Sequence, residues 1–108
     1  MTFAVLLSLD AARDLEEIYD YIALHDSPES ADYVLNQIEK VFSSLSEFPQ
    51  RGSFPKELLS LGIREYREIF FKPHRIIYRS MDKKVYVLLA VDGRRDMQSL
   101  LQRRLLNA

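Results

Sequence analysis

The chain has 108 residues, a formal net charge of −1 and no cysteine. This length is that of a single domain, and the lack of cysteine excludes a disulfide scaffold and a thiolate metal site. No apolar run approaches the roughly 18 residues that a transmembrane helix needs, and the first residues lack the basic segment of a signal peptide. We therefore expect one domain over residues 1–108, no membrane attachment, and a reducing cytoplasmic location.

The net charge conceals a separation of charge along the chain. Residues 1–47 hold ten acidic and two basic side chains, whereas residues 48–108 hold six acidic and thirteen basic ones. This separation predicts a molecule with a negative and a positive face. The positive face would suit an acidic protein, RNA or DNA. The alternative is that the two halves neutralise each other inside the fold.

The sequence begins with a predicted strand and a predicted helix. Residues 3–9 (FAVLLSL) are typical of a buried or half-buried strand, and Asp10 follows as a plausible N-cap. From Ala11 to Ile22 the apolar residues recur at helical spacing, and Asp14 is expected among the polar residues on the other faces of this helix.

A second helix follows after a short connection. Ser27 can cap it and Pro28 suits its first position. The short connection predicts that the two helices pair as an antiparallel hairpin. Two prolines and a glycine in residues 48–55 end the helical pattern, and we expect a loop or turn to continue as far as Gly62.

The remaining residues predict three strands and a short helix. Residues 63–71, 74–80 and 84–91 are rich in β-branched and aromatic side chains, with short polar turns between them. The last of these strands is apolar on both faces and should be central. From Asp96 onward the pattern is that of a short C-terminal helix. The order predicts an α+β sandwich of two layers, in which the first strand joins the antiparallel meander at an edge or beside the last strand.

The most informative polar residues are arginines near the ends of these strands. Arg75 begins the middle strand and Arg95 follows the last one, so a hairpin brings both to the same edge of the sheet. Together with Arg94, they are candidates for binding a target or an anion, since guanidinium groups hold phosphates and carboxylates bidentately. The alternative is that they pair with carboxylates such as Glu68 or Asp92 and tie the C-terminal helix to the sheet.

The C-terminal helix has an apolar stripe and a basic face. Leu100, Leu101 and Leu105 are expected either to pack in the core or to be covered by a protein partner. Arg103 and Arg104 are expected on a solvated face, where they favour the helix C-terminus.

Other side chains capable of chemistry give weaker signals. His25 and His74 are far apart and lack further ligands at metal-binding spacing, so we expect no metal and no cofactor. The tyrosines of the predicted sheet, Tyr66, Tyr78 and Tyr86, are more typical of core or cross-strand packing than of catalysis.

Six short segments, in this order and with fitting spacing, resemble the toxins of the RelE/ParE family, which belong to bacterial type II toxin–antitoxin systems. The segments are DLEEIYDYIA (14–23), SPE (27–29), SLSEFPQRG (44–52), GIREYRE (62–68), HRIIYR (74–79) and VDGRRDM (91–97). The resemblance covers nearly the whole chain. It implies an N-terminal helical hairpin packed on a twisted antiparallel sheet, which agrees with the fold predicted from the pattern.

The resemblance also implies a protein partner. Toxins of this family are neutralised in the cytoplasm by a cognate antitoxin, whose C-terminal segment is disordered alone and wraps the toxin as helix and strand. A toxin–antitoxin hetero-oligomer is therefore expected, and the separated charges of this chain suit a partner that wraps both faces.

Within the family, the resemblance implies one of two targets. RelE-like members cut messenger RNA on the ribosome, whereas ParE-like members inhibit DNA gyrase. Arg75 and Arg95 match the two arginine positions of the RelE type. The residue near the C-terminus that helps proton transfer in that type, a tyrosine or histidine, is expected at about Leu101, which cannot transfer protons. We therefore expect a ParE-like, non-enzymatic inhibitor of gyrase. The alternatives are a RelE-like mRNA endonuclease and a non-toxic relic that only binds the antitoxin.

This interpretation makes Arg94 and Arg95 the functional candidates of the C-terminal region. We accordingly expect Arg95→Ala to weaken toxicity more than Arg104→Ala at equal protein level.

Overall fold

The computed structural model describes residues 2–106 as one α+β unit. Its elements in chain order are β1 (Ala4–Leu7), α1 (Leu9–His25), α2 (Pro28–Glu47), α3 (Lys56–Leu59), β2 (Arg67–Phe71), β3 (His74–Met81), β4 (Lys84–Asp92), α4 (Met97–Leu101) and a final π-helical turn (Gln102–Leu106). The predicted order of elements and the α+β class are confirmed. No helix within residues 2–106 is long and apolar enough to cross a membrane.

The four strands form one sheet in the order β1-β4-β3-β2. The meander β2–β3–β4 is antiparallel, and β1 is an edge strand beside the last strand, as predicted. However, β1 runs parallel to β4, from Ala4 opposite Lys84 to Leu7 opposite Val87. The sheet is therefore mixed rather than wholly antiparallel, because the helical hairpin returns the chain to the other end of the sheet.

The two long helices begin at side-chain caps. Ser8, rather than the predicted Asp10, is the N-cap of α1, and its hydroxyl accepts a hydrogen bond of 3.0 Å from the amide of Ala11. Ser27 caps α2 as predicted, with Pro28 at the first helical position. The prediction for α1 failed because both Ser8 and Asp10 are good N-cap residues, and only the end of the strand decides between them.

The sheet is covered on both faces. The helical hairpin packs on one face through Ala11, Ile18, Ile38, Phe42 and Leu45, against side chains of β2, β3 and β4. The other face holds a smaller core formed by Leu58, Ile77, Leu89, Val91, Met97, Leu100 and Leu101. The fold therefore has a partial third layer, made by α3 and α4, beyond the two layers predicted.

Because of a β-bulge, alternate residues of β4 contribute side chains to both cores. Tyr78 lies opposite Val87, and the preceding residue, Ile77, lies opposite Leu89, so that Leu88 is an extra residue in β4. Val87 consequently faces the helical hairpin, whereas Leu89 faces the second core. This shift explains why the sequence of β4 is apolar at nearly every position, and it confirms that the strand is central.

Two predicted boundaries were wrong. Residues 63–66 precede β2 and are not part of a strand, and the expected loop before Gly62 contains the short helix α3. The helix forms after Pro55, and its Leu58 is buried against the second face of the sheet. A single turn of helix gives too short a pattern to be recognised in the sequence.

Candidate functional site

Arg75 lies at the centre of a buried group of charges, which we call the Arg75 ion cluster (Arg75, Glu57 and Glu68). Its Nε donates a hydrogen bond of 2.9 Å to Glu68, and its two terminal nitrogens donate bonds of 2.8 Å to the two carboxylate oxygens of Glu57. A terminal nitrogen also contacts Glu68. Only 7% of Arg75 is exposed. The cluster thus joins α3 and β2 to β3.

The electrostatics of the cluster follow from this geometry. Its carboxylates raise the pKa of Arg75 above the ordinary value, and Arg75 lowers the pKa of Glu57. The aliphatic part of the Arg75 side chain packs closely against the backbone at Gly93. A Cβ at that position would lie only 2.8 Å from the Cγ and Cδ of Arg75. The guanidinium is fixed and neutralised. The structure therefore contains the alternative arrangement, in which Arg75 pairs with Glu68. Arg75 is not open to an external anion.

The other two candidate arginines follow β4 at the same end of the sheet. Arg94 Nε donates a hydrogen bond of 2.9 Å to Asp92, and this contact lowers the pKa of Asp92 to about 2. Arg95 is exposed and forms no side-chain ion pair within residues 2–106. Of the three arginines predicted to bind a target, Arg95 is the one whose guanidinium is open to solvent without a carboxylate partner.

His74 lines a cleft beside these arginines. The cleft has a volume of about 460 Å³ between α1 and the end of β4, and its walls include Tyr21, Ile22 and Arg95. His74 is buried, with 8% exposed, and its Nδ1 has no hydrogen-bond partner in the described residues. Burial lowers the pKa of His74, and nearby Asp92 opposes this effect only in part. The lowered pKa leaves the imidazole largely neutral near pH 7, at the wall of the cleft.

The lowered pKa of His74 predicts a pH dependence of stability. The unfolded chain takes up a proton on His74 near pH 6.5, whereas the folded chain does so only at lower pH. The contribution of this group to the free energy of unfolding is therefore complete above pH 6.5 and is lost as the pH falls below it. The slope from this one group cannot exceed about 1.4 kcal/mol per pH unit. Urea unfolding of the wild type and of His74→Gln between pH 5 and pH 7.5 measures it. A difference between the two proteins that stays constant across this range would refute the assignment.

A second buried charge, Asp14, links the two ends of the chain. Asp14 is 3% exposed, accepts a hydrogen bond of 3.1 Å from the amide of Ala90, and receives two bonds, of 2.6 and 3.1 Å, from Arg104. Ala90 lies in β4 beyond the last residue paired with β1, so Asp14 satisfies an amide where the strand partner has ended. The predictions of a polar-face Asp14 and a solvated Arg104 were both wrong.

The C-terminal leucines are mainly part of the protein's own core. Leu100 and Leu101 are 2% and 1% exposed and pack against the second face of the sheet, while Leu105 is half-buried beside them. Leu100 and Leu101 therefore pack in the core, which was one of the two predicted roles; the other was contact with a protein partner. Leu101, at the position where the resemblance places a proton-transferring side chain, does not reach the surface.

The buried tyrosine of the sheet has a structural role. The hydroxyl of Tyr78 donates a hydrogen bond of 2.7 Å to the carbonyl of Pro49 and accepts one of 3.1 Å from the amide of Gly52. A Cβ at Gly52 would lie 2.6 Å from the carbonyl oxygen of Glu68, so only glycine permits this contact. Tyr78 thereby fixes the loop after α2 to the sheet, as the packing interpretation predicted. Tyr66 and Tyr86 are half-buried.

Metal-binding chemistry has no obvious location in this part of the chain. Across residues 2–106, no three His, Cys, Asp or Glu side chains form a group that could hold a metal ion. Of the carboxylates that line the cleft with Arg95, Asp14 and Asp92 are paired with arginines, and Glu17 is exposed.

Comparison with known proteins identifies the family. Residues 5–98 match the family model described as "ParE toxin of type II toxin-antitoxin system, parDE". The toxin ParE3 of Caulobacter vibrioides is 28% identical over 100 residues, which cover 93% of this chain and 96% of that protein. The chain belongs to the ParE toxin family of type II toxin–antitoxin systems, and so to the RelE/ParE group that the six segments indicated.

Solved structures share the fold. A structure of the chromosomal ParDE system of P. aeruginosa matches with a TM-score of 0.71 at 21% identity, covering 84% of this chain and 96% of that one. The RelBE2 toxin–antitoxin complex of Mycobacterium tuberculosis matches at 0.59 and 22% identity, covering 85% and 99%. A mutant of the E. coli toxin RelE in the free state, with arginines replaced by alanine, matches at 0.63 and 14% identity, covering 97% and 100%. At these identities the similarity shows the α+β toxin fold.

Proposed function

We propose that this toxin inhibits DNA gyrase by binding to it, without cleaving RNA, and that a cognate antitoxin in the same cytoplasm holds it inactive. The observation that carries the proposal is the Arg75 ion cluster. Arg75 matches an arginine position of the RNA-cleaving type, yet here both Glu57 and Glu68 bind its guanidinium. A neutralised and buried arginine contributes little to the binding of a phosphate.

The chemistry of RNA cleavage gives a second argument. Attack by a 2′-hydroxyl without a metal needs one group to accept a proton and another to donate one to the leaving oxygen. Arginine stays protonated and stabilises charge, but it is a poor proton acceptor. The position where a tyrosine or histidine would be expected holds Leu101, which is buried in the core. Binding, rather than catalysis, is the activity that these residues support.

An antitoxin partner is supported by the relatives and by the surface. The structures from P. aeruginosa and M. tuberculosis carry toxin–antitoxin titles. On this chain the edge strand β1 exposes Leu6 and Leu7, and the helical hairpin exposes Tyr21 and Leu24. The unpaired edge of β1, with its exposed leucines, is available to a partner segment that adds a strand to the sheet. We propose that the antitoxin covers these residues together with the half-buried Leu105, and that the two proteins form a hetero-oligomer.

One observation favours the competing function of an mRNA endonuclease. The neutral His74 shares its cleft with Arg95, and an imidazole beside an arginine is a combination that could accept a proton from a 2′-hydroxyl. The two functions differ in the nucleic acid that is damaged, so an experiment in cells separates them.

The test is expression of the toxin without its antitoxin, followed by recovery of gyrase with any DNA covalently attached and by mapping of transcript ends. Gyrase-linked DNA breaks with intact transcripts support the proposal. Ribosome-associated transcript cuts that disappear in His74→Gln would establish the endonuclease instead. If the folded toxin neither slows growth nor causes DNA breaks or transcript cuts, the protein is a non-toxic relic that only binds the antitoxin.

Arg95 is the side chain that we expect to contact the target. Arg95→Ala should reduce the yield of gyrase-linked DNA by roughly tenfold at equal protein level, since a charged interface contact removed by alanine costs on the order of 1–2 kcal/mol. The matched control is Arg103→Ala, because Arg103 is also exposed. Arg104, used for this comparison on the basis of the sequence, is unsuitable because it holds Asp14. Equal yields from the two variants would exclude Arg95 from the contact.

A further inference from the structure

Four cationic side chains lie together at the end of the sheet opposite to Arg95. Arg67 begins β2, Arg79 lies near the end of β3, and Lys84 begins β4, so the antiparallel register brings them to one end. Arg64 precedes β2 and lines, with Arg67 and Arg79, a pocket of about 280 Å³ whose wall also includes Glu65. We call these four residues the hairpin-end basic cluster.

The protein's own acidic groups neutralise this cluster only weakly. Glu65 approaches Arg79 at 3.7 Å, and both side chains are partly exposed to solvent, where such a pair contributes little. Arg64 and Lys84 are exposed and have no ion-pair partner among residues 2–106. At the other end of the sheet, by contrast, Arg75 and Arg94 are paired with carboxylates. The hairpin end therefore presents exposed cations that the fold neutralises only weakly, and it is our candidate for the positive face expected from the charge separation.

Two of the guanidinium groups are held in place by the protein. Arg67 donates a hydrogen bond of 2.8 Å to the carbonyl of Gly52 and lies 4.6 Å above the ring of Phe54. Arg79 lies 6.0 Å above the ring of Tyr66. Groups fixed in this way lose less conformational entropy when they bind a phosphate than free side chains do.

The same contacts indicate which form of nucleic acid would bind. Single strands bind through bases that stack on open aromatic faces, in addition to phosphate contacts. In this cluster the guanidinium of Arg67 already occupies a face of Phe54, and that of Arg79 lies over Tyr66 at the greater distance of 6.0 Å. Contacts to the backbone of a double helix need only fixed cations, and Arg and Lys supply most of them.

We propose that the hairpin-end basic cluster binds the phosphate backbone of duplex DNA, with one phosphate in the pocket between Arg64, Arg67 and Arg79. The inference stands apart from the gyrase proposal. A toxin that leaves gyrase unaffected would still bind duplex DNA through this surface.

The experiment is fluorescence anisotropy of the purified protein with a labelled duplex of two helical turns, at several salt concentrations. The double variant Arg64→Gln/Arg79→Gln should weaken binding by about tenfold or more and reduce the slope of log Kd against log salt by about two, one for each lost phosphate contact. The matched control, Arg13→Gln/Arg103→Gln, removes the same net charge at two exposed arginines elsewhere and should retain the affinity and the slope. Arg67 is left unchanged because it holds the loop at Gly52.

Several results would overturn the proposal. One is that the unaltered protein fails to bind the duplex at low salt, and another is that the control variant loses as much affinity as the cluster variant. Tighter binding of the single strand would contradict the choice of duplex. Competition by polyglutamate as effective as that by DNA at equal charge would identify an acidic protein surface as the ligand instead. Matching thermal unfolding curves for both variants exclude misfolding as the cause.

Discussion

Replacing Arg75 by alanine is expected to lower the free energy of unfolding by about 3–5 kcal/mol, because the substitution leaves two carboxylates in a largely buried position without their cation. Glu68 is 7% exposed and Glu57 is half-buried, and both bind the same guanidinium. Loss of activity in this variant would therefore report unfolding, and not the loss of a contact with the target. Urea unfolding followed by circular dichroism measures the effect, with Arg95→Ala as the control that should match the wild type.

A second variant separates the loss of charge pairing from the loss of packing. When Arg75→Met is combined with Glu57→Met and Glu68→Met, neither a buried charge nor a buried amide is left unpaired, and most of the lost stability should return. If Arg75→Ala unfolds at the same urea concentration as the wild type, the Arg75 ion cluster is not a structural element. Arg75 would then also be available to contact RNA.

The other large effect is expected at Asp14. Asp14→Ala removes the acceptor for the amide of Ala90 and the partner of Arg104, whose side chain is 20% exposed. An amide left unsatisfied and a cation left half-buried together cost about 2–4 kcal/mol. Glu17→Ala, one turn further along the same helix and exposed, is the matched control and should unfold like the wild type.

Asp14 also determines the position of the C-terminal segment. Because Arg104 is attached to Asp14 by two hydrogen bonds, the Asp14→Ala variant should show faster amide exchange in the turn at Gln102–Leu106 than the Glu17→Ala variant. Unchanged exchange in that turn would mean that Leu101 and its neighbours hold the segment without the ion pair.

The order of elements was predictable because each long element carries its own periodic signal. α1 and α2 show helical spacing, and β4 reads as a central strand because of its apolar composition. The parallel direction of β1 was not predictable, since a strand of four residues has the same pattern in either direction. The bulge at Leu88 was also hidden, because an apolar residue fits either face of a sheet covered on both sides.

The candidate site was predicted in part. The order of the strands in the sequence predicted that Arg75 and Arg95 lie at one end of the sheet. It could not show that Glu57, which lies on a helix of one turn, neutralises Arg75. The burial of Asp14 had a signal that was overlooked: it follows Ala11 by three residues and precedes Ile18 by four, which places it on their buried face. Sequence proximity does not indicate the pocket at the hairpin end, because the pairing of β2 with β3 and the path of the chain before β2 bring Arg64 and Arg79 together.

We propose that this toxin acts on gyrase by binding. The most direct test is a supercoiling assay with purified gyrase, ATP and relaxed plasmid, to which the antitoxin-free toxin is titrated. We expect loss of supercoiling together with accumulation of linear, protein-linked plasmid, and a weaker effect from Arg95→Ala than from Arg103→Ala. Full gyrase activity in a large excess of folded toxin would contradict it and would direct attention to His74 and ribosome-bound transcripts.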